Sequence, residues 1–226
     1  MLDANSVSTP LSTSDVLSLD DGSPSADATL YRQVIGSLQY LSFTRPDICF
    51  AVNKLAQFQR SPSAKHWQAT KRLLRYLKGT ITYGLHFKHG NSSQLLAYSD
   101  ADWGGIPDTR HSTSAYIIFL GKNPISWCSN KQRTVARSST EAEYKAVASA
   151  VAELNWLTNL LQELRVKMPC PPKLFCDNIV HHIPTGAQLA DALTKALPRR
   201  SIVSNFGLKK IEPMLKGHDK DKDVES

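Results

Sequence analysis

Leu95-Leu-Ala-Tyr-Ser-Asp-Ala-Asp-Trp-Gly-Gly105 reads as a strand that ends in carboxylates. Leu95, Leu96, Ala97 and Tyr98 put apolar groups at odd and even positions alike. Both faces of such a strand are covered, which makes it central in its sheet. Asp100 and Asp102 follow at the exit, and a spacing of two puts both side chains on one face. Gly104-Gly105 then turns the chain. A buried strand does not ordinarily end in two acids unless a cation or solvent takes them, so the rest of the chain is read for partners to this strand.

Downstream, Ser114 to Leu120 is rich in β-branched and aromatic residues, Gly121-Lys122-Asn123 makes a turn, and Pro124 to Ser129 alternates. With the first strand they form an antiparallel meander. Ser138-Ser-Thr-Glu-Ala-Glu-Tyr144 opens a long amphipathic helix with a stripe of Ala146, Val147, Ala150, Val151, Leu154, Leu157, Leu161 and Leu164, stopped by Met168-Pro-Cys-Pro-Pro172. Lys173-Leu-Phe-Cys-Asp-Asn178 is a short strand that again ends in an acid, Val180 to Ile183 is a further candidate strand, and Gln188 to Leu197 is a helix holding Asp191.

Upstream, residues 1–29 are rich in Ser, Thr, Asp and Pro and read as linker or frayed chain. Three helices are expected over 30–41, 48–58 and 64–78, separated by Thr44-Arg45-Pro46-Asp47 and by Ser61-Pro62-Ser63, which also caps the third. The third helix carries an apolar stripe of Trp67, Leu74 and Leu77, with Gly79 as the residue just past its end. Lys71, Arg75 and Lys78 recur at i, i+4 and i+7, with Arg72 alongside, so a second face of that helix presents four cations. Charge is uneven along the chain. Residues 31–90 hold ten Lys and Arg against the single acid Asp47, whereas residues 1–30 hold five Asp and no base. A basic block with a cationic helix face suits a polyanion such as nucleic acid, and a solvated surface is the ordinary alternative.

Four scattered cysteines (49, 128, 170 and 176) form no CxxC pair and fit buried thiols in a reducing compartment. No apolar run approaches a membrane span, and no basic segment leads an apolar one at the N-terminus, so neither membrane contact nor secretion is expected and the location is read as cytoplasmic or nuclear. Residues 201–226 end in the charged stretch Lys216 to Ser226, which is expected to be disordered.

Four acids sit at pointed places: Asp100 and Asp177 end strands, Glu143 lies in the first turn of the long helix, and Asp191 lies in the last helix. Clustered carboxylates are hard-oxygen ligands for Mg²⁺ or Mn²⁺. Two such ions roughly 4 Å apart activate a water and steady the leaving oxygen in phosphodiester cleavage. Each acid also has an ordinary reading. Glu143 or Glu141 fits a helix-capping box with Thr140 or Ser138, and Asp177 and Asp191 fit caps or turns. The combination is harder to explain as accident.

Tyr98-Ser-Asp-Ala-Asp-Trp103, Val135-Ala-Arg-Ser-Ser-Thr-Glu-Ala-Glu-Tyr144, Phe175-Cys-Asp-Asn178 and Gln188-Leu-Ala-Asp-Ala-Leu-Thr-Lys195 resemble the ribonuclease H domain of plant copia-type LTR retrotransposon polyproteins. Tyr31 to Leu41, Thr44 to Ile48 and Arg72 to Thr80 resemble the segment that links reverse transcriptase to it. The resemblance implies an α/β, ribonuclease H-like mixed sheet, with antiparallel strands one to three and a parallel strand four, preceded by a helical connection over 30–90. It also implies cleavage of RNA in RNA–DNA hybrids, with Asp100, Glu143, Asp177 and Asp191 as catalytic metal ligands and Asp102 and Glu141 as near alternates. Partners implied are the hybrid, or other nucleic acid, and other parts of the polyprotein. The Tyr-x-Asp-Asp signature of a polymerase is absent, so no polymerase activity is expected.

One departure is visible without the family. Only Ile179 separates Asn178 from the strand-like run that begins at Val180. A parallel return needs a crossover of roughly a dozen residues or more. An internal deletion near 178–181, of roughly three dozen residues if two helices and their loops are gone, is therefore expected. The ribonuclease H-like part, 93–200, would then lose its fifth strand or pair His181 to Ile183 irregularly, leave apolar flanks on strand four and the long helix, and keep Asp191 from the site. Three functions follow: a hydrolase of reduced or absent activity, a non-catalytic binder of nucleic acid through Lys71, Arg72, Arg75 and Lys78, or a structural piece of a polyprotein.

Overall fold

The computed structural model describes residues 4–90, 93–176, 190 and 193–194, and the backbone of 208–210. In chain order these form α1 (Ala28–Leu41), a short 3-10 turn (Pro46–Ile48), α2 (Cys49–Ala56), α3 (Ala64–Gly79), β1 (Tyr83–Leu85), β2 (Leu95–Asp102), β3 (Thr113–Leu120), β4 (Asn123–Lys131), α4 (Ser139–Glu163), β5 (Lys173–Phe175) and β6 (Leu208–Lys210). The sheet order β4-β3-β2-β5 places β2 centrally, as its two apolar faces require. β2 runs antiparallel to β3 from Leu95↔Leu120 to Asp102↔Thr113, β3 antiparallel to β4, and β5 parallel to β2. This is the ribonuclease H-like mixed sheet. The stretch expected as a further strand, 180–183, lies outside the described residues.

Alternation along β2 and β3 sorts the side chains into two layers. Leu95, Ala97 and Ile118 face α4 and meet its Leu154, Leu157 and Leu161. On the opposite face Tyr98, Ala115, Ile117 and Phe119 pack with Trp127, Cys49, Ala190 and Leu193. Trp127 Nε1 also donates to Ser42 O at 2.9 Å, tying the helical region to the sheet. α4 buries one stripe only. Val151 and Leu164, read as part of it, are exposed, together with Tyr144 and Trp156 on the outer surface. Burial raises the thiol of Cys49 to about 12 and that of Cys128 to about 11, as expected of structural thiols.

The three helices build their own core around Tyr31, Ile35, Ile48, Leu55 and Leu73. α3 buries His66, Thr70, Leu73 and Tyr76, one step round from the stripe read in the sequence, and Trp67, Leu74 and Leu77 are only partly covered. Gly79 is still helical, and Thr80 caps the end.

Two expectations are corrected. Residues 4–27 form no helix or strand, yet they are not frayed: Leu11 and Leu17 insert into the helical core, and Ser25 bridges Ser63. Ser and Asp supply the anchors that fix such a segment, as where Ser63 Oγ donates to Asp21 at 2.7 Å. The connection region is not wholly helical, because β1 forms at its end. Its partner is β6, paired antiparallel with Tyr83 opposite Lys210, and the stretch expected to be disordered, 216–226, lies outside the described residues.

His66 fixes how α3 begins. Its Nδ1 accepts the Ser63 N–H at 3.0 Å, which puts the proton on Nε2, and Nε2–H donates to Ser18 O at 2.9 Å. Phe58 stacks on the ring at 3.8 Å. Burial holds the imidazole below its ordinary value of 6.5. The folded protein therefore binds this proton less readily than the unfolded chain, and stability rises with pH in the window just below 6.5. Melting curves should show stability falling from pH 7 to pH 5 more steeply in the native chain than in His66→Gln. Parallel curves for the two would remove His66 as the cause.

Candidate active site

Asp100 lies near the end of β2 and is 1% exposed, on the face away from α4 that it shares with Tyr98. The Thr194 hydroxyl donates to its Oδ2. Glu143, 8% exposed, is carried by the first turns of α4, and its Oε1 accepts the Ala101 N–H at 3.0 Å. The two carboxylates thus lie near one end of the sheet, one on the central strand and one reaching the backbone a residue later. Gln132 holds that end of α4 against the meander by donating to Ala142 O at 2.9 Å and to Ser114 Oγ at 2.7 Å.

The helix-start alternatives separate cleanly. Ser138 caps α4, and Glu141 takes the capping role, accepting the Arg137 N–H at 2.8 Å and pairing with Lys145 at 2.8 Å. The Lys145 hydrogen bond, with the Arg137 N–H, holds the Glu141 carboxyl below the usual range. Glu143 is left to face the sheet. Asp102, partly exposed, packs against Gly105, where any side chain would collide with its carboxylate.

Asp177 and Asp191 lie outside the described residues. Neighbours of Asp191 are described. Ala190 and Leu193 pack on the sheet face that carries Asp100, Ser129 Oγ donates to Leu193 O at 2.6 Å, and Thr194 reaches Asp100 itself. The segment expected to be kept away by the missing crossover therefore reaches the sheet at these residues. Thr194 is the site residue the sequence reading passes over. The signal available was its spacing of three from Asp191 in a helical stretch, which puts both on one face.

Mg²⁺ or Mn²⁺ is tested by the donors present. Two buried carboxylates are the right hard-oxygen chemistry, and each accepts a hydrogen bond that orients it. Among the described residues, no group of three His, Cys, Asp or Glu comes together to hold an ion. The pair fits part of such a site, and the two acids expected to complete it, Asp177 and Asp191, fall outside the described residues.

Of the four cations read on one face of α3, Lys71 is exposed. Arg72 Nη2 donates to Thr9 Oγ1 at 2.8 Å, Arg75 Nε to Asn5 O at 2.6 Å, and Lys78 Nζ to Ala4 O at 3.0 Å. The N-terminal segment thus lies along the basic face.

The chain is 43% identical over 255 residues to the retrovirus-related Pol polyprotein from transposon RE2 of Arabidopsis thaliana, covering 96% of this chain and 18% of that protein. It is equally 43% identical over 251 residues to the corresponding polyprotein from transposon RE1, covering 94% of this chain and 17% of that protein. This chain belongs to the copia-type retrotransposon Pol family. It spans less than a fifth of these two polyproteins. A 129-residue stretch of the Pol fragment is also 50% identical to the secreted RxLR effector protein 161 of Plasmopara viticola, covering 57% of this chain and 91% of that protein. No family model matches, and no solved structure matches significantly. The RE2 alignment is longer than the 226 residues of this chain, and 96% of 226 is about 217, so about 38 aligned positions of RE2 have no counterpart here. That agrees in size with two helices and their loops. Among the described residues, no helix is long and apolar enough to cross a membrane.

Proposed function

We propose that this Pol fragment is a ribonuclease H-like remnant whose reaction class is metal-assisted hydrolysis of RNA in RNA–DNA hybrids and whose activity is weak or absent. The observation that supports the reaction class is the buried corner of Asp100 and Glu143, two acids from different elements at one end of the sheet. When bound, Mg²⁺ or Mn²⁺ would supply an activated water and charge stabilisation at the leaving oxygen. Asp100, Glu143, Asp177 and Asp191 would hold it. The Ala101 N–H orients Glu143, and the Thr194 hydroxyl orients Asp100. The expectation of reduced activity rests on the short connection after Asn178, and the number of positions unmatched in RE2 supports a deletion of that size. An assay with a labelled hybrid and Mg²⁺ should give cleavage near background, unchanged by Asp100→Asn. Robust turnover that vanishes in Asp100→Asn would overturn the loss of activity.

A second reading, non-catalytic binding of nucleic acid by Lys71, Arg72, Arg75 and Lys78, is favoured by the ten bases against one acid in residues 31–90. Either role is intracellular, alongside other parts of the polyprotein.

A further inference from the structure

We infer that residues 4–19 form an intramolecular strap that occupies the basic face of α3 and competes with a polyanion for it. The inference rests on the nucleic-acid reading of that face. Three of its four cations spend donors on the strap: Arg72 on Thr9, Arg75 on the Asn5 carbonyl and Lys78 on the Ala4 carbonyl. All three acceptors are neutral. A phosphate oxygen accepts the same N–H groups with a charge-assisted bond roughly twice as strong, so at these three bonds the strap offers weaker acceptors than a polyanion does.

The seat is imperfect in a further way. The Nε of Arg72 is hidden from solvent with no hydrogen-bond partner among the described residues. Between strap and helix lies a cavity of about 240 Å³, walled by Lys65, Arg72 and Arg75 on the helix and by Leu11, Asp15 and Leu17 on the strap. One carboxylate faces three cations there.

What keeps the strap in place lies outside the basic face. Leu11 and Leu17 are 7% and 3% exposed in the helical core, and His66 grips the Ser18 carbonyl. At the far end Gly79 admits the close approach: a Cβ there would lie 2.8 Å from Ser6 Cβ. Anchors and mask are therefore separable. Loosening the apolar anchors should free the cations without altering α3.

The experiment measures binding of fluorescent heparin and of a fluorescent RNA–DNA hybrid at low salt. Leu11→Ser with Leu17→Ser should bind heparin about tenfold more tightly than the native chain, with a steeper salt dependence, and adding Arg72→Ala, Arg75→Ala and Lys78→Ala should abolish the gain. A gain on heparin but not on the hybrid upholds the strap and removes the nucleic-acid reading. No gain on either, with helical circular dichroism intact, overturns the strap, as does a gain that survives the three alanines. Should the serine variant fail to fold, Ser6→Cys with Gly79→Cys decides. The Cβ separation is about 1 Å short of the usual disulfide distance, a gap the exposed Ser6 can take up. Oxidation should weaken heparin binding several-fold and reduction should restore it, with the single-cysteine chains unaffected; equal binding in both states overturns the strap.

Discussion

Asp47→Ala should destabilise the protein by about 3–5 kcal/mol, the range for removing one member of a buried ion pair. Arg45 grips Asp47 with two parallel bonds, Nε to Oδ1 at 2.9 Å and Nη2 to Oδ2 at 2.7 Å, and both side chains are shielded, at 8% and 0% exposure. The same guanidinium donates to the Thr80 carbonyl at 3.1 Å and the Thr80 hydroxyl at 2.8 Å, and Tyr76 OH donates to Asp47 at 2.8 Å. Burial works against the charge on Arg45, and the adjoining carboxylate outweighs it, holding the guanidinium above its ordinary value. Burial and the same carboxylate raise the Tyr76 phenol. Removing Asp47 strands a cation and a phenol in a site sealed by the ends of α1 and α3. Replacing both partners, Arg45→Met with Asp47→Leu, should cost much less than either single change, because no charge is then left unpaired. Urea unfolding of the three variants measures this. A loss below about 1 kcal/mol for Asp47→Ala, the level of an exposed pair, would show that water reaches the site.

Thr44-Arg45-Pro46-Asp47 illustrates what could and could not be read from residues. Pro46 announces a helix break, and α1 does end before it. Nothing local says that the break carries the buried ion pair of the helical region, because its third partner, Thr80, is 35 residues away. The same limit explains the N-terminal segment. Ser, Thr, Asp and Pro lack the periodicity of any element, and they hold no helix or strand over 4–24. Two leucines and a handful of polar side chains suffice to pin it once α3 offers the complementary face. Periodicity worked where burial follows the chain's own period. Leu95 to Tyr98 forecast a central strand, and β2 lies between β3 and β5. It failed by one step on α3, because His66 and Thr70 are polar by type but buried, with hydrogen bonds to Ser18, Ser63 and the His66 carbonyl. The placement of Asp100 and Glu143, buried near one end of the sheet, was legible from strand-end and helix-start positions. The Thr194 contact was not, since it spans 94 residues and depends on how the chain returns after β5.

Restoring that return is the sharper test of the proposed chemistry. Inserting after Asn178 a connection of roughly 38 residues, as many as the RE2 positions without a counterpart here, should raise Mg²⁺-dependent hybrid cleavage by about 10²-fold or more, the scale of loss when a reacting group is displaced by an ångström. The acids on β2 and α4 need no repair. β2 is paired on both edges, and Ala101 and Thr194 already orient Glu143 and Asp100. What the insertion changes is the path from Asp177 to Asp191, now fourteen positions, too short for a parallel crossover and a following strand and helix together. The gain should disappear in Asp100→Asn on the restored chain, which separates repair of this site from a second nuclease site brought in by the insert. It should also cover the outer surface of α4, where Tyr144 and Trp156 are 56% and 57% exposed, so slower aggregation should accompany the gained activity. Coverage of α4 without cleavage would mean that the deletion accounts for the exposed flank and that the catalytic defect lies in the acids themselves. Cleavage without the insertion, at a rate the insertion leaves unchanged, would mean that the short connection already brings the last acid to the other three.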